Sequence, residues 1–194
     1  MINFIKNREN PVILDKENKF VYFPTNKVMQ TTLARNILKD RVIVKKDNPK
    51  LWLEHFEKTD FNSIYKFGIT RHPFGKFESA FNYLKSLNRT SKRMGISNMN
   101  INDYIKNIDY NINPYKLNPH FEYQYDSFYY KNELLVDELF KIETIQDNYK
   151  ILFNKINCDK DLIQKNISSH NDTINDESKI LLQKIYKKDM LLYK

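Results

Sequence analysis

Two segments of the chain place cations and hydroxyls where backbone donors would be left over, and both have the chemistry of an anion site. In Thr25-Asn26-Lys27-Val28-Met29-Gln30-Thr31-Thr32 a lysine precedes paired threonines at a helix start. One mobile cation, two hydroxyls and the orphan N–H groups of a first helical turn suit a phosphate. In Arg71-His72-Pro73-Phe74-Gly75-Lys76-Phe77-Glu78-Ser79-Ala80-Phe81 an arginine leaves an apolar run, a proline opens a helix and a serine follows. Arg71 offers a planar fork that matches a phosphate, and Ser79 a hydroxyl.

Both segments need a strand before them and a helix behind. Lys19 to Phe23 and Tyr65 to Thr70 read as buried strands, and Pro73 sits where a first helical turn tolerates a missing N–H. Phe74, Phe77, Phe81 and Leu84 recur at helical spacing and are expected to face the core. His72, Gly75, Lys76 and Ser79 are expected on the opposite side, in line with Arg71. Further strands are expected at Pro11 to Leu14, Arg41 to Val44 and Leu139 to Lys141. Helices are expected at Thr31 to Lys39, Pro49 to Phe56, Phe74 to Leu87, Ile101 to Ile108, Ile145 to Ile156 and Asp176 to Tyr193. Strands alternating with helices predict an α/β fold: a single domain over residues 1–194, with a three-layer parallel sheet flanked by helices and ligands at the carboxyl ends of its strands. Asn88 to Asn100, polar and containing Gly95, reads as a mobile loop.

The Walker loop requires glycines at fixed positions, and the chain has only Gly68, Gly75 and Gly95. The two segments instead resemble the 5′-phosphosulfate loop and the 3′-phosphate motif of sulfotransferases that use 3′-phosphoadenosine-5′-phosphosulfate (PAPS). The likeness is to the carbohydrate and heparan-type branch, with P-K-x-x-x-T-[ST]-[LW] and R-[DNH]-P-[FY]-x-[RK]-[LF]-x-S-[AG]-[FY]. Arg71, Pro73, Phe74, Lys76, Phe77, Ser79, Ala80 and Phe81 meet the second pattern. In the same order follow Asn100 to Ile105, Asn118 to Gln124 (similar to H-[WF]-x-x-Q), Glu138 to Glu143, Asn166 to His170 (similar to N-x-S-x-H) and Ile185 to Asp189 (similar to Y-x-x-D). The chain departs from the pattern at Asn26, where the family has proline before the lysine, at Gln30, where it has a small residue, and at Lys76, where arginine is commoner.

The resemblance implies a P-loop-like sulfotransferase fold and sulfuryl transfer from PAPS to a hydroxyl of a glycan or small-molecule acceptor, with no metal. It implies that Lys27, Gln30, Thr31 and Thr32 hold the 5′ side, Lys27 neutralising the leaving oxygen, and that Arg71 and Ser79 hold the 3′-phosphate. A base must take the acceptor proton, and histidine is suited to it. Of the four histidines, His72 is expected to cap the helix. His120 is the first choice and His55 the second, with Glu122 and Glu143 as carboxylate alternatives.

A net charge of +8 fits a protein that handles anions without naming which, and scattered lysines speak against a nucleic-acid partner. Two other classes stay open: a nucleotide-binding phosphotransferase with a degenerate loop, and a non-catalytic basic module for polyanions. The single cysteine, Cys158, excludes an internal disulfide and points to a reducing compartment. No transmembrane stretch or signal peptide is read, so a soluble cytoplasmic protein is expected, or a Golgi-lumenal one if the chain is excised from a longer one.

Overall fold

The computed structural model describes residues 11–17, 19–45, 49–109, 111–162 and 173–193. The N-x-S-x-H segment at 166–170 lies outside them. The chain divides into two compact units, Met1–Thr70 with Gln124–Lys165, and Arg71–Tyr123 with Asn166–Lys194.

The first unit carries the sheet. Its strands are β1 (Ile13–Asp15), β2 (Phe20–Phe23), β3 (Val42–Val44) and β4 (Tyr65–Thr70), then a small hairpin of β5 (Tyr129–Tyr130) and β6 (Glu133–Leu134), and β7 (Glu138–Lys141). The main sheet runs β3-β1-β2-β4-β7. β2, β4 and β7 are parallel, but β1 is antiparallel to both its neighbours, so the sheet is mixed rather than parallel throughout as the alternation of elements predicts. Connection length explains the difference. Only residues 16–19 separate β1 from β2, enough for a hairpin and far too few for a crossover. The buried carboxylate of Asp15 closes this turn by accepting the Lys19 N–H (3.1 Å) and the Arg41 Nε–H (3.0 Å).

One face of the sheet sets Ile13, Phe20, Tyr22, Phe67, Ile69 and Phe140 against the helical segments Thr31–Ile37 and Ile145–Lys155, which contribute Leu33, Ala34, Ile37, Leu152 and Phe153. Tyr22 and Phe67 stack at 4.9 Å, and Phe140 meets Phe67 edge-on at 6.5 Å. Alternation along β4 turns Gly68 to the other face, where a Cβ would stand 2.2 Å from the Phe128 ring and 2.9 Å from Leu139. The helix after β2 is π-helical, with the Leu38 N–H donating to the Leu33 carbonyl five residues back.

The second unit is helical: Pro73–Ser86, Asn88–Arg93, Ile101–Lys106, Pro114–Leu117 and Asp176–Ile185, with 3₁₀ turns at Pro119–Phe121 and Asp189–Tyr193. Phe77, Phe81, Leu84, Phe121, Leu182 and Tyr186 build its core. Two expectations are corrected here. Asn88 to Asn100 is not a loop throughout: its first six residues are helical, and Ile96 is wholly buried. Gly95 (φ +68°) is the left-handed residue that closes this helix, its own N–H bonding the Lys92 carbonyl while the Ile96 N–H bonds that of Ser91. The helix expected over Asp176 to Tyr193 breaks after Ile185, where the buried Tyr186 donates its hydroxyl to the Phe121 carbonyl (2.7 Å).

Candidate functional site

The β2 loop is fixed from beneath. Val28 is wholly buried, and its carbonyl accepts a hydrogen bond from the Tyr22 hydroxyl (3.3 Å). Burial pushes the Tyr22 phenol well above its ordinary pKa, so this donor keeps its proton in alkaline solution as well. On either side of this anchor Lys27 (φ 63°) and Met29 (φ 51°) adopt the left-handed conformation that side chains disfavour. Gln30 follows in the right-handed region (φ −51°, ψ −48°) and leads into the helix. A left-handed residue followed by a right-handed one turns successive N–H groups toward one concavity, the backbone arrangement that cradles anions. Lys27, Gln30 and Thr32 are half-buried and Thr31 is exposed. Thr25, just before them, is buried, and its hydroxyl has no hydrogen-bond partner among the described residues.

At the end of β4 the chain passes through Arg71 into the helix Pro73–Ser86. His72 caps it as expected, its Nδ1 accepting the Phe74 N–H (3.3 Å) while its carbonyl accepts the Lys76 N–H (2.9 Å). The imidazole is packed edge-on against Phe74 and Tyr193. The Arg71 side chain lies against Gly75: its Nε is 3.3 Å and its Nη2 3.9 Å from where a Cβ on residue 75 would sit. Gly75 and Ser79 follow one another on a single stripe of the helix, and Ser79 is buried.

Lys76 does not join that stripe, contrary to the sequence expectation. Its side chain is 1% exposed, and its ammonium donates to the carbonyls of Glu122 (2.5 Å) and His120 (3.3 Å). Burial lowers its pKa, against which the nearby carboxylates of Glu122 and Asp189 act in the opposite sense. The lysine is thus an internal strut beneath the turn that carries His120. That turn is also held from its own chain, where Asn118 Oδ1 accepts the His120 N–H (3.0 Å). The His120 ring is half-buried and meets Tyr83 edge-on at 5.0 Å.

His55 is half-buried near the end of the helix Pro49–Glu57, in the sheet unit, its carbonyl accepting the Thr59 hydroxyl (2.8 Å). Of the carboxylate alternatives, Glu122 is buried and Glu143 exposed. The Tyr186 hydroxyl is raised far above its ordinary pKa, by burial first and by Asp189 second, so both specified positions of the Y-x-x-D segment are interior. Sequence reasoning missed the left-handed pair around Val28, because Lys27 and Met29 are not residue types that announce it. It also missed the seat of Arg71, although a glycine three residues into a helix was a legible signal. Neither a family model, nor a curated protein, nor a solved structure matches the chain.

Proposed function

We propose that the protein is a PAPS-dependent sulfotransferase that moves a sulfuryl group to a hydroxyl of a carbohydrate-type acceptor. The observation that carries this reading is the pairing of β2 with β4. The two strands are adjacent and parallel, with Phe23 in register with Gly68, so the Lys27 loop and the Arg71 segment begin at the same edge of the sheet. That edge, at the carboxyl ends of parallel strands, is where open α/β sheets bind ligands. The cradle of the Lys27 loop supports a 5′-phosphate site, and the fork of Arg71 with the Ser79 hydroxyl supports a 3′-phosphate site.

In this reading the acceptor oxygen attacks the sulfur in line with the bridging oxygen, the S–O bond to the 5′-phosphate breaks, and adenosine 3′,5′-bisphosphate leaves. Lys27 neutralises the charge that grows on the leaving oxygen, and Gln30, Thr31 and Thr32 hold the phosphate still. The acceptor proton passes to a base, His120 first and His55 second. Lys76 acts only through the backbone under His120.

Calorimetry with adenosine 3′,5′-bisphosphate in EDTA tests the proposal. Binding without a divalent cation is expected, and Arg71→Ala should weaken it by about 10–100-fold, the worth of a charge-assisted bidentate contact. Lys27→Ala should abolish transfer from radiolabelled PAPS. Magnesium-dependent ATP binding in place of bisphosphate binding would overturn the reading in favour of a phosphotransferase. Steeply salt-dependent polyanion binding that Arg71→Ala leaves intact would overturn it in favour of a non-catalytic module.

A further inference from the structure

The chain has three glycines, and the structure gives each a different reason. Gly68 makes room for Phe128 and Leu139 in the core, and Gly95 supplies a left-handed φ with no atom within 4 Å of a would-be Cβ. Gly75 has neither need. It lies inside the helix Pro73–Ser86, in a conformation any residue adopts, where glycine is among the poorest helix formers. The three atoms nearest a Cβ at this position all belong to Arg71: Nε at 3.3 Å, Nη2 at 3.9 Å and Cγ at 4.0 Å. What the missing side chain serves is therefore the arginine.

We propose that Gly75 is a positioning residue for nucleotide recognition: its bare Cα seats the Arg71 guanidinium against the first turn of the helix, on the stripe that continues to Ser79, and so sets the preference for a nucleotide bearing a 3′-phosphate. The inference rests on the sulfate-donor reading and deepens it. A fork that grips two phosphate oxygens at once tolerates little displacement. An alanine Cβ at 3.3 Å from Nε obliges the guanidinium to shift by a few tenths of an ångström, and a larger side chain takes its place. The consequence falls on one phosphate only. A nucleotide that lacks the 3′-phosphate has nothing to lose.

The test is calorimetry of Gly75→Ala and Gly75→Leu with adenosine 3′,5′-bisphosphate and with adenosine 5′-monophosphate, beside thermal melting. Both substitutions replace a poor helix former with a good one, so the melting temperature of Gly75→Ala should rise. Affinity for the bisphosphate should fall about threefold in Gly75→Ala and about tenfold or more in Gly75→Leu, while affinity for the monophosphate stays within about twofold. In an Arg71→Ala background Gly75→Leu should add nothing. If Arg71→Ala lowers bisphosphate affinity and neither Gly75 variant does, the inference about Gly75 is wrong and the donor reading stands. If the unmodified protein fails to distinguish the two nucleotides and Arg71→Ala changes neither, the donor reading is wrong and the inference falls with it.

Discussion

Replacing Lys76 by methionine keeps the length of the stem and removes the ammonium, which separates two roles for this residue. If the amine is a strut, as its hydrogen bonds to the Glu122 and His120 carbonyls indicate, the cost appears in stability. The 2.5 Å contact is a short charge-assisted bond worth about 1.5–3 kcal/mol, and the 3.3 Å contact adds about 0.5–1 kcal/mol. Removing the amine also leaves the buried Glu122 and Asp189 carboxylates without its charge. Against this stands the relief of desolvating an ammonium that is 1% exposed. The balance is a loss of about 2–4 kcal/mol, since removing one partner of a buried charged group costs more than the group contributed. In urea this lowers the unfolding midpoint by about 1 M, for a slope of about 2–3 kcal/mol per molar. Adenosine 3′,5′-bisphosphate affinity of the folded variant should stay within about twofold of the original. A variant as stable as the original but tenfold weaker in binding would refute the strut and return Lys76 to the anion stripe.

Gly68→Ala forces a Cβ to within 2.2 Å of the Phe128 ring, so overpacking should cost about 1–3 kcal/mol and lower Tm by about 3–10 °C; an unchanged calorimetric Tm would mean that the two faces of β4 are packed otherwise. The alkaline response carries opposing signs. Lys76 has a lowered pKa in the folded protein, so the unfolded chain holds its proton longer and stability rises with pH up to the ordinary lysine value. The buried Tyr22 and Tyr186 have raised values, so their contribution is intact below about pH 10 and is lost above it, at about 1.4 kcal/mol per pH unit for each. Urea midpoints between pH 8 and 11 should therefore pass through a maximum at about pH 10, and Lys76→Met should remove the rising limb; a midpoint that climbs through pH 11 would contradict the burial of the tyrosines.

Much of the scaffold was legible because burial writes itself into local patterns. Tyr65–Thr70 falls on the apolar run that predicts it, and Pro73 opens its helix where the proline stands. Most of what escaped was decided by partners distant in sequence. The antiparallel pairing of β1 with β2 was legible in the shortness of residues 16–19 and went unread, whereas the tie from Arg41 back to Asp15, 26 residues away, was not legible. Gly95 was read as a mark of looseness, whereas its left-handed φ terminates a helix. Asn157 (φ 54°) does the same after Ile145–Lys155, with the Cys158 N–H bonding the Phe153 carbonyl. For the site, helical spacing put Lys76 on the polar side, because a wheel with one apolar face has no place for a buried cation. That ammonium is satisfied by carbonyls 44 and 46 residues downstream, which the local pattern does not contain.

The order of the main sheet has a consequence for how the chain is made. β1, β2 and β3 can pair as soon as residue 44 has left the ribosome, and β4 can add to β2 shortly afterwards. The far side of β4, including the backbone of Phe67, Gly68 and Ile69, waits for β7, whose residues are synthesised about 70 positions later. Through that interval a nascent chain carries an unfinished apolar sheet margin, the surface on which strands of separate molecules join. Truncations that stop before Glu138 should accordingly form aggregates where the full chain does not, and slowing translation across residues 71–137 should lengthen that exposure.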